Sequence, residues 1–141
     1  MTSSPHSSSE KDIEVIKQVY TGINRNDIDF VLDLLDASVL RIEPEEFPTP
    51  GRYQGHSAMR DHLIKGRSTW AEGGCEPVDF IPAGNKIIAI VHIKVRLKNN
   101  TNWIDAHIAD GFSIKEGLVT EFHSFINQEK ALEWAGTTSD H

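Results

Sequence analysis

From Trp103 to Ile114 the chain alternates, with Ile104, Ala106, Ile108, Phe112 and Ile114 on even positions and mostly polar residues between them. Side chains two apart in a strand share a face. The segment is therefore a long half-buried strand that requires a sheet with an apolar interior on one side. Asp110 stands within the even, apolar set. An ionisable acid pointed at a hydrophobic interior costs free energy unless it is paired, protonated or faces a cavity. A buried carboxyl with a raised pKa is one way to hold a proton donor near neutral pH. The same placement also occurs where an Arg, a His or backbone donors satisfy the acid and no chemistry follows.

The remaining sequence supplies the rest of the sheet and what covers it. Ser9 and Asp12 resemble a capping box, and Ile13, Ile16, Tyr20 and Ile23 recur at helical spacing, giving a first helix to about Asn24. Asp27 caps a second helix carrying Ile28, Val31, Leu32, Leu34 and Leu35 and ending before Val39; the two pack as a hairpin. Val39 to Glu43 is a short strand, and Pro44, Pro48 and Pro50 make the stretch to Gln54 irregular. A third helix from about Ser57 presents Ala58, Met59, His62, Leu63 and Gly66 to the core. Strands follow near Glu76 to Ile81, Lys86 to Lys98, Asn102 to Lys115 and Leu118 to Asn127, then a short helix from Glu129 to Trp134. Helices first and a strand meander afterwards give an α+β fold, a curved antiparallel sheet wrapped around N-terminal helices. In the second of these strands Val91, Ile93, Val95 and Leu97 form the core face, so His92 points away. Pairing Leu97 with Ile104 places Val91 opposite Asp110.

A chain of 141 residues, 38% hydrophobic, suits one domain. We place it at residues 9–136, between a disordered tail at 1–8 and a C-terminal tail at 137–141. The net charge of -7, with no cluster of Lys and Arg, argues against nucleic acid as a partner. Cys75, the single cysteine, permits no internal disulfide and no cysteine-based zinc site, which suits a reducing compartment. No apolar run is long enough for a membrane span or a signal-peptide core, so the expectation is a cytoplasmic protein with no membrane contact. Gly73-Gly74 and Gly51 build no phosphate cradle, and neither a nucleophile elbow nor a zinc helix is present. Neither a cofactor nor a metal is expected.

From Ile13 to Gly136 the chain resembles the cone-shaped α+β fold of nuclear transport factor two, and within it the SnoaL-like cyclases and ketosteroid isomerases. The likeness is carried by Asn24-Arg25-Asn26-Asp27, Arg41-Ile42-Glu43-Pro44, Gly51-Arg52-Tyr53-Gln54-Gly55, the run Gly111 to Val119, and Ala131 to Gly136. By that resemblance Glu43 falls on the isomerases' carboxylate base. Asp110 falls on their protonated Asp, which is itself the standard example of a carboxylic acid kept neutral at working pH. The isomerases' tyrosine on the first helix falls on Val19, which leaves the oxyanion site incomplete and argues against steroid isomerisation. Tyr20, about 100 degrees around the helix, need not replace it.

Glu43, His62 and Asp110 are thus the candidate catalytic residues. Glu43 also reads as a solvated strand end, and His62 as a helix-surface residue among Arg60, Asp61 and Lys65. The expected pocket lining is Tyr20, Val19, Met59, Leu63, Trp70, Val95, Ile108, Phe112, Phe122 and Ser124, with Phe47 and Phe80 near the mouth. Two turns are open at Lys115-Glu116-Gly117. A glycine bulge, the favoured one because Glu is ill suited to left-handed angles, turns Phe122, Ser124 and Ile126 inward; a two-residue turn points His123 at Asp110. With the bulge, His92, His107 and His123 join Trp103 and Phe125 on an outer face suited to a homodimer. The expected function is a pocket for a hydrophobic carbonyl compound, in a cofactor-free isomerase, cyclase or dehydratase. The alternative is a non-catalytic ligand-binding or dimerisation domain.

Overall fold

The computed structural model describes residues 5–136, with side chains from residue 9 onward. The first four residues of the expected N-terminal tail, and the expected C-terminal tail, lie outside that range. Helix α1, Pro5–Asn24, begins ahead of the expected start at Ser9. Asn26 takes a positive φ of 59° in the turn that follows, and the Asp27 side chain accepts from the Phe30 N–H to start α2, Ile28–Leu32. That helix is shorter than its apolar residues imply, because the sheet captures the backbone: the Leu34 carbonyl accepts from Val119 N–H at 2.9 Å. Leu35 then opens β1, Leu35–Glu43.

The chain continues through β2 (Gly51–Gln54), α3 (Gly55–Ser68), β3 (Trp70–Ala83), β4 (Lys86–Leu97), β5 (Trp103–Lys115), β6 (Leu118–Phe125) and α4 (Gln128–Ala135). The strands form one open sheet in the order β2-β1-β6-β5-β4-β3. This is the α+β cone, with one addition: β1 runs parallel to β6, while every other ladder is antiparallel. Part of the proline-rich stretch is regular after all, since β2 pairs with β1, and β3 starts well before Glu76. Residues of α1, α2 and α3, among them Ile16, Val19, Val31 and Met59, pack with Val91, Phe112 and Phe122 of the sheet in the main core.

Register decides which residues meet. In the β4–β5 hairpin the last pair is Arg96 with Trp103, so Val91 faces Ile108 and Ala89 faces Asp110. The pairing expected from sequence is therefore two residues out. A slip of two preserves the faces, and Asp110 still points inward. The β5–β6 connection corrects another expectation. Glu116 and Gly117 both take positive φ, 54° and 83°, in a two-residue turn that pairs Lys115 with Leu118. That turn alone would swing His123 towards Asp110. However, the ladder shifts by one residue between Ser113 and Ile114, and Asp110 then pairs with Ser124. The bulge lies inside the ladder instead of at the turn, and it restores Phe122 and Ser124 to the inner face.

Helix α4 lies on the outer face. The Trp134 ring packs 4.6 Å from His123 and 5.7 Å from Phe125, centroid to centroid. Gly111 makes this approach possible, for a Cβ there would sit 2.4 Å from the Trp134 ring. His123 and Phe125, expected on an open face beside Trp103, are thus covered within the chain. Among the described residues no helix is long and apolar enough to cross a membrane.

Candidate functional site

The helices and the concave side of the sheet enclose a cavity of about 500 Å³. Its body is apolar, walled by Ile23, Leu63, Trp70, Val91, Ile93, Val95, Ile108 and Phe122. Polar residues also line it, and six of them concern the chemistry: Tyr20, Arg41, Glu43, His62, Asp110 and Ser124. Four of these come from strands at inward-facing positions, Arg41 and Glu43 two apart on β1, Asp110 on β5 and Ser124 beside it on β6.

Asp110 is 3% exposed and both of its oxygens are engaged. The Tyr20 hydroxyl donates to Oδ2, and Ser124 Oγ donates to Oδ1 at 2.7 Å. Burial pushes the carboxyl above its ordinary value, against the opposing pull of the Arg41 charge and the two hydrogen bonds. Tyr20, buried and next to that carboxyl, is pushed well above its usual phenol range and stays protonated. The structure therefore corrects the reading of Tyr20. One step around the helix from Val19, it is the residue whose hydroxyl reaches the acid, while Val19 is fully buried in the core.

Glu43 is held from both sides. Arg41 Nη2 donates to Oε2 at 3.0 Å, and Thr49 donates to Oε1 through its backbone N–H, at 3.0 Å, and its hydroxyl. With side chains 8% and 9% exposed, Arg41 and Glu43 form a buried ion pair. The Arg41 guanidinium also lies 4.2 Å over the Phe122 ring and donates to the carbonyls of Ile42 and Phe122. The solvated strand end is excluded for Glu43.

His62 is buried, and its ring stacks on Tyr53 with centroids 4.0 Å apart. Nε2 stands 4.0 Å from Glu43 Oε2, just beyond a hydrogen bond, and Nδ1 is buried without a partner. Desolvation, with the charges of Arg41 and Lys65, lowers its pKa to about 4. The ring is neutral at physiological pH. A proton on Nε2 faces the Glu43 carboxylate and leaves Nδ1 as a bare acceptor, a less costly orphan than a buried N–H.

The cavity thus brings Glu43, His62 and Asp110 together. Of the expected lining, Tyr20, Leu63, Trp70, Val95, Ile108, Phe122 and Ser124 face it. Val19, Met59 and Phe112 instead lie fully buried behind its wall. Phe47 lies at the mouth with Pro48 and Thr49, whereas Phe80 packs against the core. Sequence reasoning missed Arg41 and Thr49. In Val39-Leu40-Arg41-Ile42-Glu43 the apolar Leu40 and Ile42 invite the opposite phase, and only the fully buried Val39 signals which face is inward. Among the described residues no group of three or more His, Cys, Asp or Glu is placed to hold a metal ion.

An acid held above its ordinary pKa, a protonated phenol, a neutral imidazole and an oriented carboxylate, all on an apolar cavity, are the parts of proton-transfer chemistry. Comparisons with known proteins agree with the fold. Similar structures include TerC co-crystallised with polyporic acid, 18% identical, with TM-score 0.73 over 90% of this chain and 99% of that one. A putative isomerase from Bacillus subtilis is 14% identical, with TM-score 0.74 over 92% and 95%. A putative polyketide cyclase from Sinorhizobium meliloti is 14% identical, with TM-score 0.66 over 79% and 93%. No curated protein matches the sequence. The family model of the SnoaL-like domain matches residues 16–122, most of the chain and both sides of the cavity, and the protein belongs to that family.

Proposed function

We propose that the cavity binds a hydrophobic carbonyl compound and moves a proton on it without a cofactor, in an isomerase, cyclase or dehydratase. The observation that carries this reading is the buried Tyr20–Asp110–Ser124 group on the wall of an otherwise apolar cavity. With a carbonyl oxygen seated beside Tyr20, this reading requires a proton on Asp110: the acid donates to the phenol oxygen and the phenol turns its own proton to the carbonyl. The enolate that forms when a neighbouring C–H bond breaks is stabilised there. The proton goes to the Glu43–His62 side: three donors occupy Glu43, a carboxylate has about four acceptor directions, and the remaining one receives it. The family includes polyketide cyclases and isomerases and binds small hydrophobic ligands, and one neighbour of this fold was crystallised with polyporic acid. Both agree with a ligand of this kind.

The test is deuterium exchange at the acidic C–H of 2-tetralone in D2O, followed by NMR. Wild type accelerates it, and Tyr20→Phe loses about a hundredfold, the usual cost of one oxyanion donor. Asp110→Leu and Glu43→Gln reduce it to background. Exchange at the wild-type rate in Asp110→Leu sinks the acid's role. A second reading has its own support, the full engagement of Glu43 by Arg41 and Thr49, which is how a structural ion pair looks. A non-catalytic binding domain takes up 2-naphthol, equally well in wild type and Glu43→Gln, and exchanges no ketone. The open part of the outer sheet face, around Trp103, His92 and His107, is our proposed homodimer surface.

A further inference from the structure

The stretch between β1 and β2 carries prolines at 44, 48 and 50. A proline has no N–H, so between Pro48 and Pro50 the only amide donor is that of Thr49. That amide and the Thr49 hydroxyl both go to Oε1 of Glu43, while Arg41 takes Oε2 from the other side. A carboxylate gripped through both oxygens by different elements cannot turn about its terminal bond. Its open acceptor direction is set.

The same stretch has a second anchor. The Tyr53 hydroxyl lies 3.0 Å from the carbonyl oxygens of both Thr49 and Pro50, and its single proton is shared between them. The Tyr53 ring in turn stacks on His62. Glu46, Phe47, Pro48 and Thr49 line the cavity, and Glu45, Glu46, Pro48 and Pro50 are exposed. A thin strap therefore walls the cavity on one side, and each of its two polar anchors ends on a candidate proton-transfer group. These anchors tie the strap to Glu43 and to Tyr53.

We infer that Thr49 is a positioning residue: through Oε1 it fixes the Glu43 carboxylate for proton transfer, and through the same bonds it seats the 44–50 strap over the cavity. The catalytic half of this statement rests on the proton-transfer reading above; the structural half does not. Carbon–hydrogen cleavage hands the proton to Glu43, and the same carboxyl, held in place by Thr49, returns a proton to carbon before the neutral ligand leaves.

The experiment compares Thr49→Val, which keeps shape and backbone amide but removes the hydroxyl, with Thr49→Ser, which keeps the hydroxyl. Two readouts are used: kcat and KM for 2-tetralone exchange, and the amide hydrogen-exchange rate of residue 49 in the ligand-free protein. For Thr49→Val we expect kcat to fall at least about tenfold with KM little changed, since misplacing a reacting group costs on the order of ten- to a hundredfold. The amide should exchange about tenfold faster, and Thr49→Ser should restore both. Adding Thr49→Val to Glu43→Gln should change the amide rate no further if the hydroxyl acts through that carboxylate. Valine and serine behaving alike, an unprotected amide in wild type, or full additivity overturns the inference. Wild type that exchanges no ketone, with the amide pattern intact, fails the proton-transfer reading and leaves the strap seated by Glu43.

Discussion

His62 and Asp110 are buried in one cavity, and their shifted titrations link stability to pH in definite directions. His62 titrates at about 4 in the folded chain against an ordinary 6.5. A group whose folded pKa is depressed contributes stability above its unfolded pKa and loses it as pH falls through the folded one. Between pH 7 and pH 5 the wild type should therefore lose about 2 kcal/mol more than His62→Phe, which keeps the stack on Tyr53 but cannot take a proton. Urea unfolding at the two pH values checks it, and equal losses exclude a neutral buried imidazole. Asp110 runs the other way. Its folded pKa is raised above 3.8, so its contribution is complete below that value and is lost as pH rises through the folded pKa. Asp110→Asn should then gain on the wild type as pH is raised from about 4 to 7, a difference read from paired unfolding curves. The residue scale is also where the sequence was most and least readable. The inward acid at Asp110 followed from period-two alternation over a long strand. Tyr20 and Arg41 did not, because contact across the core depends on how α1 and β1 are rotated against the sheet, and no local pattern carries that.

At the scale of elements, two junctions fix how the sheet and its coverings meet. The Trp134 ring of α4 sits where a side chain on residue 111 would be. Gly111→Ala should destabilise the protein by about 1–3 kcal/mol, the range for overpacking, and shift the Trp134 emission to the red as α4 lifts from the sheet. Unchanged emission and stability would mean that α4 is not held by this contact. The β5–β6 turn offers the opposite change. Glu116 holds a left-handed backbone at φ 54° beside Gly117, an unfavourable angle for Glu that Asn adopts readily. Glu116→Asn should raise stability by about 1 kcal/mol. A fall in melting temperature would show that the turn in solution differs. Element types were legible except for β2, and boundaries failed where long-range pairing overrode local preference. Leu34 and Leu35 look helical until β6 takes their backbone, and Gly51 to Gln54 look irregular until β1 pairs with them.

For the whole molecule, the outer sheet face divides into a part that α4 covers and a part left open. Trp103 is 46% exposed on the open part, beside the His92–His107 stack, whose ring centroids are 4.7 Å apart. If two copies meet there, sedimentation shows a dimer that Trp103→Glu converts to monomer with the cavity still able to take up 2-naphthol. A wild-type monomer at high concentration removes that surface from consideration. The sequence alone determined the class of the fold, one α+β domain with helices first, because hydrophobic period is a local property that survives small errors of register. It also determined that an acid faces the interior. The tertiary structure decided what that acid meets. The turn at Glu116-Gly117 and the ladder shift after Ser113 each reverse the facing of β6, and only their sum sets Ser124 beside Asp110. The close approach of Tyr20, and the grip of Arg41 and Thr49 on Glu43, arise between segments far apart in the chain, where packing geometry and not local preference selects the partner.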